Sequence, residues 1–274
     1  MSVSVIICTY QSPRELDFAL CGMSMQVVPP SEVLVADDGS GDETRDLIEY
    51  WQGELPFPLI HCWHVDKGFR KSRIVNEAVR RSSGDFLMFL DGDSFPHSHW
   101  VADFMSARSD RLVLCGRRVK LGPEFSERLT REQILTGKLN WLDPELLMSA
   151  LRRDTQRLGL GIRVPKGLAR LFHLRPRRLM GVNYGLPREA FFRVNGYDER
   201  WTFYGREDLD LELRLKRADY KFYPLLNRAI VYHVYHKERE RSDDALELTA
   251  AQESADWVRC GLGVETGGTF DPQL

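Results

Sequence analysis

Two hydrophobic periods alternate along the first 115 residues. Largely apolar runs at Val3 to Cys8, Val33 to Ala36, Leu59 to His64 and Phe86 to Leu90 suit strands covered on both faces. Helical patterns lie between them. At Ser12-Pro13-Arg14-Glu15 a capping residue, a first-turn proline and a glutamate three residues on predict a capped helix start. Further helices are expected from about Glu43 to Trp51 and from Arg70 to Arg81. Repeated strand–helix units predict an α/β protein with a mostly parallel, doubly wound central sheet.

From about 120 to 178 the alternation breaks. Helical patterns at Arg131 to Leu135 and Pro144 to Leu158, then a Gly, Pro and Arg-rich stretch from Gly159 to Arg178, predict a mostly helical insertion or lid. Alternation resumes at Gly181-Val182-Asn183-Tyr184, with a helix near Glu207 to Ala218 and an apolar strand from Ala229 to Tyr235. An amphipathic helix from about Asp243 to Val258 and a glycine-containing tail follow. The organisation expected is one domain over 1–240, built from halves 1–115 and 179–240 around the insertion 116–178, and then a helix and tail over 241–274.

A 274-residue chain, 43% hydrophobic and 28% charged, has the composition of a soluble globular protein. With 38 basic and 40 acidic residues its formal charge is −2, so no global field recruits nucleic acid. Basic surface is instead local: Arg117 to Arg178 holds fifteen Lys or Arg against six Asp or Glu. The five cysteines are scattered and include no close metal-binding or redox pair, which fits a reducing cytoplasm. With no signal-peptide pattern and no run near the ~20 apolar residues of a membrane span, contact with a membrane is expected from its surface.

Candidate chemistry collects where strands end. "FLMFLDGDSF" closes an apolar strand on Asp91 and Asp93, at the mouth where open α/β sheets place ligands. Asp-Gly is also good turn chemistry. Thr9-Tyr10 and Asp37-Asp38 follow the first two strands, while the glycine-rich turn of a dinucleotide fold and the Walker phosphate loop are both absent. Such a site would hold phosphates through a metal ion rather than a glycine nest.

Four blocks in order, "SVIICTYQSPRELDFAL", "VLVADDGSGDET", "KGFRKSRIVNEAVRRSSGDFLMFLDGD" and "GVNYGLPREAFFRVNGYDERWTFYGREDLDLELRL", resemble the family 2 inverting glycosyltransferases of the GT-A fold. The C-terminal block is similar to the galactosyltransferase and chondroitin-polymerase group. The resemblance covers residues 1 to about 110 and 179 to 240, making the first half the nucleotide-sugar half and the second the acceptor and catalytic half. It implies that Thr9 and Tyr10 line the nucleobase pocket, that Asp38 accepts from uracil with Asp37 beside it, and that Arg70 and Asn76 belong to the donor site. The asparagine's usual preceding arginine is here Val75. As a plainer reading, Asp37-Asp38-Gly39-Ser40 turns the chain and caps the next helix.

By the same resemblance Asp91, Gly92 and Asp93 form the Asp-x-Asp motif, which would bind Mn²⁺ or Mg²⁺ against the donor diphosphate. An inverting transfer needs a carboxylate to take the acceptor proton. The resemblance makes Asp208 that base and assigns Asn183, Tyr204, Gly205 and Glu207 to the acceptor side, with Arg206 standing where the group has a second glycine. Acids also favour a first helical turn without any catalytic role. His233 and His236 would face opposite ways on a strand, so one reaches a shared ion unless the strand ends between them. The resemblance favours His236, with His233 second.

The expected function is a metal-dependent transfer of a Gal, Glc, GlcNAc or GalNAc-type sugar from a UDP-sugar to a hydroxyl. The acceptor would be a glycan or a lipid-linked glycan such as lipopolysaccharide or capsule. Arginine interleaved with Trp141, Leu171, Phe172 and Leu174 suits an anionic acceptor or peripheral contact with an anionic membrane at its inner face. Two rivals are a nucleotidyltransferase and an inactive sugar-nucleotide-binding scaffold. The first should carry a glycine-rich basic loop where Thr9-Tyr10-Gln11-Ser12 stands; the second need not keep its acids.

Overall fold

A computed structural model describes residues 2–141, 143–172, 178–237, 248–249, 253–267 and 273. β1 (Val3–Thr9), α1 (Pro13–Ser24), β2 (Glu32–Asp37), α2 (Asp42–Glu54), β3 (Leu59–Trp63), α3 (Lys71–Arg81) and β4 (Phe86–Asp91) follow in turn. Next come β5 (Ser94–Pro96), α4 (Trp100–Ala107), β6 (Leu112–Cys115) and β7 (Arg117–Lys120). Four short helices succeed them: α5 (Pro123–Arg128), α6 (Arg131–Leu135), α7 (Pro144–Leu151) and α8 (Lys166–Phe172). The chain continues through β8 (Asn183–Pro187), α9 (Arg188–Arg193), α10 (Glu207–Arg217), β9 (Lys221–Pro224) and β10 (Ile230–His233).

The larger sheet runs β3-β2-β1-β4-β8-β6-β9. Strands β1 to β4 are parallel, while β8 is antiparallel to β4 and β6. Alternate residues feed two cores, as the strand period requires. Val5, Ile7, Val35 and Met88 pack with α1, α2 and α4; Ile6, Leu34, Leu87 and Phe89 pack with α3, α9 and α10. Each fully buried side chain of this kind contributes roughly 1.5–3 kcal/mol. Because the chain leaves β1 for β2 and β3 and then returns to β4, the switch point lies between the carboxyl ends of β1 and β4.

A second sheet, β5-β10-β7, lies past the end of β4. Its register sets His233 opposite Ser94, one residue after Asp93. The described residues include no helix long and apolar enough to cross a membrane, and all five cysteines are free.

Several expectations change. The Ser12 capping bond does not form; its hydroxyl donates to Tyr10 O at 3.0 Å. The helix expected to reach Leu158 stops at Leu151, where Arg153 and Arg157 take left-handed backbone and Asp154 accepts from Phe125 N and Ser149 Oγ. Within the stretch read as helical, Arg117–Lys120 is a strand. The strand expected from Ala229 to Tyr235 covers only Ile230–His233. Much of the helix expected from Asp243 to Val258 lies outside the described residues, and residues 255–258 are not helical.

Candidate active site

Asp91 ends β4 directly beside Cys8 of β1, and Gly92 N donates to Cys8 O at 2.7 Å. Thr9 is buried there, and its hydroxyl has no hydrogen-bond partner among the described residues. Tyr10 turns outward and donates to Asp66 Oδ2 at 2.9 Å.

Asp37 and Asp38 divide their work. Asp37 is wholly buried, accepting from Ser40 N at 2.8 Å and lying 3.0 Å from His61 Nε2. It turns the chain, as the plainer reading has it, but caps nothing, since α2 starts from Gly41 without a side-chain cap. Asp38 lies 2.8 Å from His64 Nε2 and accepts from Arg70 N at 3.0 Å. The Arg70 guanidinium donates to Val65 O. These contacts tie the ends of β2 and β3 to the start of α3.

Asp93 meets both histidines. His236 Nε2 lies 3.0 Å and His233 Nε2 3.5 Å from Asp93 Oδ2, and the three ligand atoms fall within 4.8 Å of one another. The strand ends at His233, so the chain turns before His236 and both rings reach one point. Burial alone would raise the Asp93 carboxyl, but the hydrogen bonds from His233 and His236 overcome this and hold it well below the usual carboxylate range. The bond to Asp93 in turn raises His236. Two imidazoles and one carboxylate are a donor set that fits Mn²⁺ better than the oxygen-preferring Mg²⁺. Asp91 lies outside this group; its Oδ1 is 3.1 Å from Lys71 Nζ.

Glu207 and Asp208 open α10, where the helix dipole favours acids. Asp208 Oδ1 accepts from Tyr197 OH at 2.8 Å and Oδ2 from Gly181 N at 3.0 Å, and Tyr197 OH is 2.8 Å from Tyr184 OH. A β-carbon at Gly181 would stand 2.3 Å from that carboxylate, so any side chain there must displace it. Burial raises Asp208, and burial followed by repulsion from Asp208 raises Glu207, while Lys71 pulls both down. Gly205 and Arg206 ahead of the pair have φ of +107° and +70°, a backbone that explains why glycine suits both positions. Tyr204 is 38% exposed and sits edge-on to Phe69. From inside α10, buried Arg214 pairs with Asp210 and donates to Val194 O and Gly196 O, fixing the loop that carries Tyr197.

Two residues expected at the ligands are fully buried and bonded within the protein. Asn76 is fully buried: Nδ2 donates to Tyr197 O at 2.8 Å and Oδ1 accepts from Tyr197 N at 2.9 Å. Asn183, also fully buried, donates to Arg117 O and Ala229 O and accepts from Trp100 Nε1. Their amides are buried and join the elements around them.

His61, His64, Lys71 and Tyr197 were not singled out from the sequence. His64 follows the same strand-end signal as the acids, whereas His61 lies within β3; for Lys71 the only signal is the basic run "KGFRK". A cavity of about 220 Å³ walled by Asp103, Lys166 and Arg228 lies against α4 and α8 and contains none of these groups.

A mostly parallel α/β sheet with acids gathered at its switch point is the architecture of the GT-A glycosyltransferases. The chain belongs to glycosyl transferase family 2, which matches residues 4–173, while residues 169–237 match the family described as the N-terminal domain of galactosyltransferase. It is 29% identical over 276 residues to the uncharacterized glycosyltransferase YfnE of Bacillus subtilis (strain 168), covering 92% of this chain and 69% of that one. Chondroitin synthase of Pasteurella multocida (strain Pm70) is 25% identical over 89% of this chain, which spans only 26% of that protein. Among solved structures, S. aureus TarS 1–349 in complex with UDP-GlcNAc has a TM-score of 0.58 at 16% identity, covering 92% of this chain and 66% of that one. The mannosyltransferase PcManGT from Pyrobaculum calidifontis, in complex with GDP-Man and Mn²⁺, has a TM-score of 0.54 at 15% identity, covering 93% and 70%.

Proposed function

We propose that this glycosyltransferase moves a hexose or N-acetylhexosamine from a UDP-sugar to a hydroxyl of a glycan or lipid-linked glycan, with inversion at the anomeric carbon. The observation that carries the reading is the meeting of Asp93, His233 and His236 within 4.8 Å at the end of β4. These three would hold a divalent cation, which when bound supplies positive charge against the departing diphosphate.

The chain's own residues supply the rest. Tyr10 offers a ring at the nucleobase, and Asp38, fixed by His64 and Arg70, offers acceptor oxygens nearby. Asp208, oriented by Tyr197 and Gly181, takes the proton from the acceptor hydroxyl as its oxygen attacks the anomeric carbon. Glu207 and Tyr204 lie on the acceptor side. The UDP-GlcNAc complex of TarS and the likeness to chondroitin synthase support a UDP-sugar donor.

Residues 155–178 contain seven Lys or Arg and no acid, and Leu168 and Leu171 of α8 are 55% and 65% exposed. That combination favours an anionic membrane surface, and with it a lipid-linked acceptor, each cation contributing on the order of 1 kcal/mol. The same combination supports an enzyme of the cytoplasm, peripheral to the inner face of the membrane.

Calorimetric titration with UDP, GDP, dTDP and CDP, each with Mn²⁺ and again with chelator, tests the donor site. Binding of UDP that needs Mn²⁺ supports it. No nucleotide binding under any condition would leave the acids as turns and favour a scaffold.

A further inference from the structure

Lys71 opens α3, yet its side chain reaches across the site. Its Nζ lies 3.1 Å from Asp91 Oδ1 and 3.5 Å from Glu207 Oε1, linking the end of β4 to the start of α10. The Lys71 side chain is 16% exposed, that of Asp91 27% and that of Glu207 6%. Asp208, next to Glu207, adds a third carboxylate to the same small volume.

Three carboxylates shielded from water repel one another, and burial further favours the neutral acid. A buried acid that keeps its proton cannot serve as a base. Among the described residues, the other groups set against Asp208 are uncharged or acidic: Tyr197 OH and Gly181 N donate to it, Tyr184 stands behind Tyr197, and the Cys8 thiol lies within the field of Lys71. Hydrogen bonds from neutral donors orient a carboxylate; an ammonium among the acids also offsets its charge. Lysine suits the place because its compact ammonium and flexible stem can touch acids on two elements at once.

We propose that Lys71 is a positioning residue whose ammonium keeps Glu207 and Asp208 as carboxylates and spaces them from Asp91, so that the base is ready before the acceptor arrives. This rests on Asp208 being the base. Lys71 itself takes no proton in the transfer.

Carbon-13 NMR of protein carrying carboxyl-labelled aspartate reads Asp208 directly, without substrate, its signal assigned by its loss in Asp208→Asn. In Lys71→Met the Asp208 midpoint should rise by about one to three pH units, and Lys71→Arg should bring it back toward the wild-type value. An unchanged midpoint in Lys71→Met overturns the proposal. Should that variant not fold, Lys71→Gln, which keeps a donor but no charge, is read the same way: a rise supports the proposal and no rise overturns it. Release of UDP from UDP-N-acetylglucosamine with Mn²⁺ separates the two readings. Activity lost in Asp208→Asn with no shift in Lys71→Met overturns the role of Lys71 and leaves the base in place. Activity that survives Asp208→Asn overturns the base and, with it, the catalytic part of the proposal.

Discussion

Asn183→Ala sets a structural role against an acceptor-binding one. The Asn183 amide bonds Trp100 Nε1 at 2.9 Å, Arg117 O at 2.9 Å and Ala229 O at 2.7 Å, so it joins β8 to α4 and to the strands of the smaller sheet. Truncation leaves those three groups, two buried and one part-buried, without that partner. At about 1–3 kcal/mol for each stranded group the loss lies between about 3 and 9 kcal/mol, and water entering the vacated space brings it toward about 3–5. A domain of this kind has only about 5–15 kcal/mol in total, so the change is large. Urea unfolding followed by fluorescence should show a lowered midpoint with unchanged slope, while UDP binding by the folded fraction stays near wild type. A loss below about 1 kcal/mol, or a weakened acceptor interaction at full stability, would refute the structural role.

Asp208→Asn should cut transfer by about 10²–10⁴-fold and leave UDP binding with Mn²⁺ nearly intact; transfer near wild type would put the base elsewhere. Asp93→Ala should remove the dependence of UDP binding on Mn²⁺ in calorimetry, and unchanged metal dependence would sink the Asp93–His233–His236 site. Burial raises Asp208 above its ordinary 3.8, so the folded state binds the extra proton; stability should fall as pH rises from 3.8 through the raised value. Activity should rise across that same window, as the base ionises. Asp208→Asn should flatten the stability loss, and parallel wild-type and variant curves would refute the assignment. Sedimentation with phosphatidylserine vesicles should exceed that with phosphatidylcholine and weaken in Leu168→Asp with Leu171→Asp; equal binding to both lipids would count against an anionic surface.

In the sequence, the first four strands and three helices are legible because apolar period and turn chemistry are local signals, and strand ends locate the acids near ligands. The histidine pair shows the limit of that legibility. Its spacing left open whether one or both could reach an ion, and the answer came from where β10 stops and how it registers against β5. Asn76 and Asn183 mark a second limit. Motif order places them beside functional residues, but only their burial and filled hydrogen bonds reveal amides that hold elements together.

The sequence by itself determined the strand–helix alternation, the resemblance to family 2 and the candidate acids Asp91, Asp93 and Asp208, since each depends on neighbours along the chain. Tertiary structure decided what those acids touch. Lys71 lies 20 residues before Asp91 and 136 before Glu207, yet it bonds the first and pairs with the second. Tyr197 reaches Asp208 from a loop that Arg214 pins at Val194 and Gly196 and that Asn76 pins at Tyr197 itself. Such contacts arise when the sheet and α10 pack into cores, and packing depends on three-dimensional register that no local pattern carries.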